Sequence, residues 1–397
     1  MLVGLVGKPS SGKSTLFSAA TLIDVAIANY PFTTIEPNKG IGFVRVECID
    51  KEFGVQCNPR TGFCKNHVRY VPVEMMDVAG LVPDAHKGVG MGNKFMDDLR
   101  QADALIHVVD ASGATNEKGE EVPAGYHDPC EDVEFLEEEV DLWFHSIIQR
   151  NWVKFSKTPF ESRGQMLEQA SQLLSGIIGN PYQLEKTLFK LNLLDKNPRL
   201  WSEDEIMAFA RELRKNSKPI IIAANKADKP TSEKNIEKMR AKFPRLKIIP
   251  CSGVAELALR KAARDGSVEY YPGDKDFKIL KQLTEGQTQA LEFIRKNVLQ
   301  KYGSTGVQQI LDETVFGLLE YKAIFPAGVS KLADQHGNIL PDCFLMPGDA
   351  TALDFAFKLH SDIGNNFIKA IDVKTRQLIG KEHVLKHRDA VEIAFAK

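Results

Sequence analysis

"LVGLVGKPSSGKSTLFSAAT", residues 2 to 21, is the stretch whose reading decides the fold. An apolar run ends at Val6, a glycine-rich loop follows, and a helical pattern takes over near Lys13. Gly7, Gly12, Lys13 and Ser14 meet the spacing G-x-x-x-x-G-K-[ST] of a phosphate-binding loop. The glycines let the backbone turn tightly with its N–H groups pointing inward, and these donors add to the helix N-terminus to favour a polyphosphate. Every loop residue, Gly7, Lys8, Pro9, Ser10, Ser11, Gly12, Lys13, Ser14 and Thr15, is therefore a candidate nucleotide contact. Lys13 is expected to reach the terminal phosphates and the Ser14 hydroxyl to hold Mg2+. The plain alternative is a glycine turn with a surface lysine.

Three stretches further along narrow the chemistry. "VPVEMMDVAGL" (residues 71 to 81) reads as a strand ending in Asp77 with Gly80 completing D-x-x-G; Asp77 would meet Mg2+ and the Gly80 N–H the γ-phosphate. "KPIIIAANKAD" (218 to 228) reads as a buried strand ending in N-K-x-D. The Asp228 carboxylate can accept from both N1–H and the 2-amino group of guanine, whereas adenine would leave it unpaired. Asn225 would bridge the base and the loop, with the Lys226 stem along the ring. "IIPCSGVAEL" (248 to 257) follows, and backbone N–H groups of Cys251, Ser252 and Gly253 could face the guanine O6.

Composition excludes little by itself. With 51 Lys and Arg against 53 Asp and Glu, net charge points to no partner. No run approaches the roughly 20 apolar residues that cross a bilayer. Six scattered cysteines without an export signal argue against a disulfide framework. A cytoplasmic protein with no membrane partner, monomeric, is the expectation.

The stretches "GKPSSGKSTLFSAAT", "ANYPFTTIEPNKG", "DVAGLVPDAHKGVGMGNKFMDDLR" and "NKAD" together resemble the Obg superfamily of translation-associated GTPases, most closely its YchF branch in the archaeal form. The resemblance implies that Thr34 closes over Mg2+ and the γ-phosphate, as a switch that loss of the phosphate releases. Lys13, Thr34, Gly80 and His86 become the candidate catalytic residues, and Ser14, Thr34 and Asp77 the candidate metal ligands. Three departures bear on mechanism. Well-known YchF members carry Glu where Asp228 stands and favour ATP, so Asp228 directs the expectation to GTP. Leu81 stands where Ras-like proteins place a water-orienting glutamine, so unaided hydrolysis should be slow, with His86 as the candidate polar replacement. Ser10 stands where potassium-stimulated relatives have Asn, which argues against K+ assistance without removing it. Gly88, Gly90 and Gly92 read as hinge material rather than as a dinucleotide fingerprint.

The interval between Asp77 and Asn225 is too long for a simple P-loop core, so a helical insertion is expected. Val133, Leu136, Val140, Trp143, Phe144, Ile147 and Ile148 recur at helical spacing, while Glu137, Glu138 and Glu139 read as a solvated run. Two long antiparallel helices fit the pattern, with Trp143 and Trp152 as packing residues. The core resumes near Ser202 with a Ser-x-x-Glu cap. From residue 322 the texture becomes short strands around "TALDFAFKLHSDIG", and the resemblance identifies a TGS domain, a small β-grasp unit associated with RNA and ribosome contact. The expected organisation is a P-loop GTPase domain over 1–128 and 202–303, a helical insertion over 129–201, a connecting helix over 304–321 and the TGS domain over 322–397. The fold class is α/β, a mostly parallel sheet flanked by helices.

"CNPRTGFC" places Cys57 and Cys64 on either side of six residues, with His67 nearby. Zinc pairs usually sit closer and need four ligands, and no second pair is evident, so the stretch reads as a hairpin tip. The function expected is slow hydrolysis of GTP to GDP as a ribosome-associated switch. An ATPase of the same family and a nucleotide-gated RNA-binding module with little catalysis are the alternatives. A small-molecule phosphotransferase would need a lid in place of "YPFTT".

Overall fold

The computed structural model describes residues 1–21, 38–78, 92–160, 162–174, 177 and 181–396. Thr34, Gly80, Leu81 and His86 lie outside them. Among the described residues the main sheet has strands β1 (Leu2–Val6), β2 (Lys39–Glu47), β3 (Phe63–Lys65), β4 (Val68–Asp77), β5 (Ala104–Asp110), β6 (Ile220–Asn225) and β7 (Ile248–Pro250). Their order is β2-β4-β1-β5-β6-β7, with β3 also paired to β4. The run β4-β1-β5-β6-β7 is parallel, and β2 and β3 are antiparallel to β4. Strands β5 and β6 are buried at every position, as a parallel sheet covered on both faces requires.

Register then fixes what stands at the carboxyl end of the sheet. Leu5 pairs with Asp77, Asp110 with Asn225, and Ala224 with Pro250. Four separated stretches therefore deliver Asp77, Asp110, Asn225 and Cys251 to one edge, where open α/β sheets bind ligands.

Helix α1 (Lys13–Thr21) leaves the loop after β1, and α2 (Gly92–Gln101) precedes β5. The insertion begins with α3 (Pro129–Lys157), whose first turn is capped by the Asp128 carboxylate accepting from the Cys130 N–H. The second long helix expected from the sequence is instead two, α4 (Arg163–Leu174) and α5 (Pro181–Lys190). Ile177 between them lies in a turn, its N–H donating to the Leu174 carbonyl at 2.9 Å, and Pro181 stands at the first position of α5, where a proline suits a helix start. The glutamate run of α3 is also not solvated throughout. Glu139 is buried, and Arg214 Nη2 donates to Glu137 at 2.9 Å while its Nε donates to Asp141 at 2.8 Å. Helix α6 (Glu203–Ser217) covers that face and brings Arg214 with it. Its N-terminus carries the expected cap, with the Glu205 N–H donating to Ser202 Oγ and the Ser202 N–H to Glu205 Oε2. Trp143 is in the core, and Trp152 packs on Trp201 with ring centroids 5.0 Å apart.

Helices α7 (Ser232–Lys242), α8 (Gly253–Arg264) and α9 (Glu285–Ile294) complete the first unit, with the hairpin β8 (Val268–Glu269) and β9 (Lys278–Ile279). A helical segment from Val307 to Leu318 leads to the second sheet. Its strands β10 (Lys322–Pro326), β11 (Phe344–Met346), β12 (Phe367–Asp372), β13 (Leu378–Ile379) and β14 (Ala390–Phe395) run in the order β11-β10-β14-β12-β13 around the helix Ala352–Leu359. One hydrophobic cluster joins the two units, containing Val44 and Val71 from the first and Phe325, Leu340 and Ala390 from the second. No helix among the described residues is long and apolar enough to cross a membrane.

Candidate nucleotide site

The phosphate loop takes a backbone path that a chain without glycine would resist. Gly7 and Gly12 have φ of 156° and 89°, and a Cβ on Gly12 would stand 2.3 Å from Asn225 Nδ2. Ser10 is also left-handed, at φ 59°. Lys13 at the start of α1 forms an ion pair with Asp77 and donates to the Val78 carbonyl at 2.7 Å. The Ser14 hydroxyl donates to the other Asp77 oxygen at 3.0 Å. A hydroxyl and a carboxylate this close are the hard oxygen donors that Mg2+ prefers, so the residues present fit the ion.

Two loop residues turn their side chains into the protein. The Lys8 side chain turns away from the cradle into the protein, donating to the Thr115 carbonyl at 2.7 Å and lying 2.9 Å from Asp132 Oδ2 on α3. His127 Nε2 meets the other Asp132 oxygen at 2.8 Å, so the lysine closes a buried triad that fastens the loop to the insertion. Ser11 is wholly buried and its hydroxyl points inward, leaving its carbonyl to accept from Asn225 Nδ2 at 2.9 Å.

On the base side, Asn225 is held at both ends. Its amide donates to the loop as above, and its oxygen accepts the Gly253 N–H at 3.0 Å. Lys226, left-handed at φ 60°, extends to Asp110 Oδ2 at 2.9 Å. Burial raises the Asp110 carboxyl, but hydrogen bonds from Ser112, Lys226 and Thr115 outweigh it and hold the group below the usual carboxylate range. Asp110 was not singled out from the sequence. The available signal was its place as the last residue of a strand in register with Asn225.

Asp228 accepts from Ser252 Oγ at 2.8 Å, and the same oxygen caps α8 by accepting the Ala255 N–H at 3.2 Å. The expectation that three consecutive N–H groups face the base needs correction. The Cys251 N–H donates to the Ala224 carbonyl, that of Ser252 to the Thr305 carbonyl, and that of Gly253 to Asn225. Strand pairing and the segment beyond α9 have taken these donors, so Ser252 contributes through its side chain instead. Burial pushes the Cys251 thiol up, which leaves it an inert packing group. Behind this turn the buried Glu256 accepts from Arg260, Tyr270 and Thr305, which ties the turn to the C-terminal half of the first unit.

Residues 2–131 match the family model described as a 50S ribosome-binding GTPase, 223–328 the Obg-like GTPase YGR210-like, G4 motif-containing domain, and 335–394 the TGS domain. An uncharacterized GTP-binding protein of Methanocaldococcus jannaschii is 44% identical, covering 100% of this chain and 99% of its own length. This chain belongs to the YchF-type branch of the Obg-like GTPases. The crystal structure of a GTP binding protein from Pyrococcus horikoshii OT3 superposes with a TM-score of 0.79 at 38% identity, covering 100% of both chains. The ribosome-binding ATPase YchF of Bacillus subtilis is 26% identical, over 100% of this chain and 99% of its own. The YchF-type assignment accounts for the P-loop sheet and the C-terminal TGS domain together.

Proposed function

We propose that this chain binds GTP with Mg2+ and hydrolyses it slowly to GDP and phosphate, as a switch in translation or ribosome-associated work. The observation that carries the reading is the Asp228 carboxylate, fixed by Ser252 beside an Asn225 that is itself tied to the phosphate loop. A carboxylate in that setting matches the two donors on the guanine edge and penalises adenine, which would leave it desolvated without a partner.

Lys13 and the inward N–H groups of the loop would stabilise charge developing on the transferred phosphoryl group. Ser14 and Asp77, with Thr34 and the Gly80 N–H supplied by the switch stretches, would surround the terminal phosphate. Mg2+ bound there would offset charge between the β- and γ-phosphates. Leu81 can neither donate nor accept, so slow turnover follows unless His86 or a partner orients the water. The match of residues 2–131 to the 50S ribosome-binding GTPase model and the name of the Bacillus subtilis relative support a ribosome partner, with the TGS and helical units as the proposed contact surfaces.

An ATPase is the second reading, favoured by the name of the Bacillus subtilis relative. Calorimetric titration with GDP, a GTP analogue, ADP and an ATP analogue in Mg2+ separates the two, run on the native chain and on Asp228→Glu. The proposal expects guanine preference in the native chain and a loss of about 10-fold or more of that preference in the variant. Equal or tighter adenine binding by the native chain sinks it.

A further inference from the structure

The stretch between β2 and β4, which reads as a plain hairpin tip, gathers metal-ligating side chains from four places. Cys48 follows β2, Asp50 lies in the turn Ile49–Lys51, Cys57 comes midway, and Cys64 sits on β3. The three sulfurs and a carboxylate oxygen of Asp50 all lie within 4.8 Å of one another. Cys48 Sγ is 3.6 Å from Cys57 Sγ, and Cys64 Sγ is 3.7 Å from Asp50 Oδ2. Ligands of a tetrahedral zinc, at about 2.3 Å for sulfur and about 2.0–2.2 Å for oxygen, stand roughly 3.5–3.8 Å from each other. These pairs already have that separation. Cys48, Asp50 and Cys57 are buried, as a closed structural site requires.

The surroundings match the charge of such a site. His67 Nδ1 lies 2.9 Å from Asp50 Oδ1, which orients the carboxylate and leaves Oδ2 toward the sulfurs. Supports of this kind behind a ligand are the rule in metal centres. Three thiolates and a carboxylate exceed the charge of one divalent cation, and Arg69 supplies compensation. Its guanidinium is buried, with Nη1 3.6 Å from Cys57 Sγ. Sulfur-rich tetrahedral donors select zinc over magnesium or calcium.

We propose that Cys48, Asp50, Cys57 and Cys64 bind one Zn2+ in a closed structural site, with His67 positioning Asp50. The site fastens the loop on which the TGS unit docks. Arg69 donates to the carbonyls of Leu340 and Pro341 at 3.0 and 2.8 Å, the Asn58 N–H to Ile339 at 2.8 Å, and the Arg60 N–H to Pro341 at 2.9 Å. Arg60 also pairs with Asp342 at 2.6 Å. Zinc thus holds the receiving surface for residues 339–342 rather than touching the nucleotide site.

The test uses the full chain, purified with zinc supplied and thiols kept reduced. Elemental analysis should give one zinc per chain, and Cys57→Ser or Cys64→Ser should lower occupancy about tenfold or more. Cys130→Ser, outside the cluster, should retain it. His67→Ala should weaken affinity by about 10–100-fold in chelator competition. If the serine variants fail to fold, the native chain still decides the matter, because chelation followed by cobalt should produce the intense visible bands and sulfur charge transfer of a tetrahedral thiolate site. Absence of stoichiometric zinc together with a pale octahedral cobalt spectrum overturns the proposal. So does a Cys48–Cys57 disulfide as the state of the freshly purified chain.

Discussion

The two ends of the nucleotide site engage their polar groups in different ways. At the phosphate end, Lys13 and Ser14 both rest on one carboxylate, Asp77, and the Lys13 and Asp77 side chains stay partly accessible, at 13% and 18%. These groups can exchange partners at small cost, because solvent reaches both side chains. At the base end, Asn225 is 3% exposed and spans the loop and Gly253, Lys226 is drawn to Asp110, and Ser252 holds Asp228. That end is organised before any ligand arrives, which lowers the ordering cost of binding and sharpens selectivity. The phosphate end must open the Lys13–Asp77 ion pair for Lys13 to reach a phosphate.

The contrast can be broken most severely from beneath the phosphate loop. Lys8→Met removes the cation from the buried Lys8, Asp132 and His127 group, and should cost about 3–5 kcal/mol in urea denaturation. A loss below about 1 kcal/mol would mean that the loop does not depend on the insertion for its footing. Lys13→Ala should weaken GTP-analogue binding about 100-fold by calorimetry while leaving the guanine-over-adenine ratio unchanged. A change in that ratio would show the two ends to be coupled rather than separate.

His107 offers a pH lever on the same footing. Burial, with the Lys8 charge adding to it, pushes this β5 histidine down to about 3 from an ordinary value of 6.5. The unfolded chain therefore takes up its proton first as pH falls. Stability contributed by the neutral ring is fully present above pH 6.5 and is lost below it, by about 1.4 kcal/mol per pH unit. His107→Gln should flatten that slope when Tm is followed from pH 7.5 to 5.5, and an unchanged slope would put the acid sensitivity elsewhere. Ser252→Ala has the smallest expected effect, about 1 kcal/mol of stability from the lost cap of α8. With it should come a drop of about fivefold in GDP affinity as Asp228 loses its hydrogen bond. Unaltered GDP binding in this variant would show that Asp228 needs no support.

How much was legible in advance follows from how local each signal is. The phosphate loop, Asp77 and N-K-x-D are contiguous patterns at strand ends, and one parallel sheet is enough to bring them to a common edge. The place of the Lys8 side chain was not legible because motif spacing describes backbone geometry, and its partners on the β5–α3 connection and α3 are over 100 positions away. The Cys251 to Gly253 donors were misread for a related reason. Their acceptors come from β6 and from Thr305, which no local pattern links to that turn. The start of α5 was written in Pro181, but strong helical periodicity on either side obscured it.

By itself the sequence determined the α/β P-loop architecture and the residue types offered to a nucleotide, because both depend on short-range periodicity and backbone conformation, whereas the C-terminal β-grasp unit was implied by the family resemblance. Only the tertiary structure decided which donors remain free at the base, that Asp110 restrains Lys226, and that Cys48 and Asp50 join Cys57 and Cys64. Those outcomes depend on strand register and on the packing of one sheet unit against another, which bring together atoms that the linear order keeps apart.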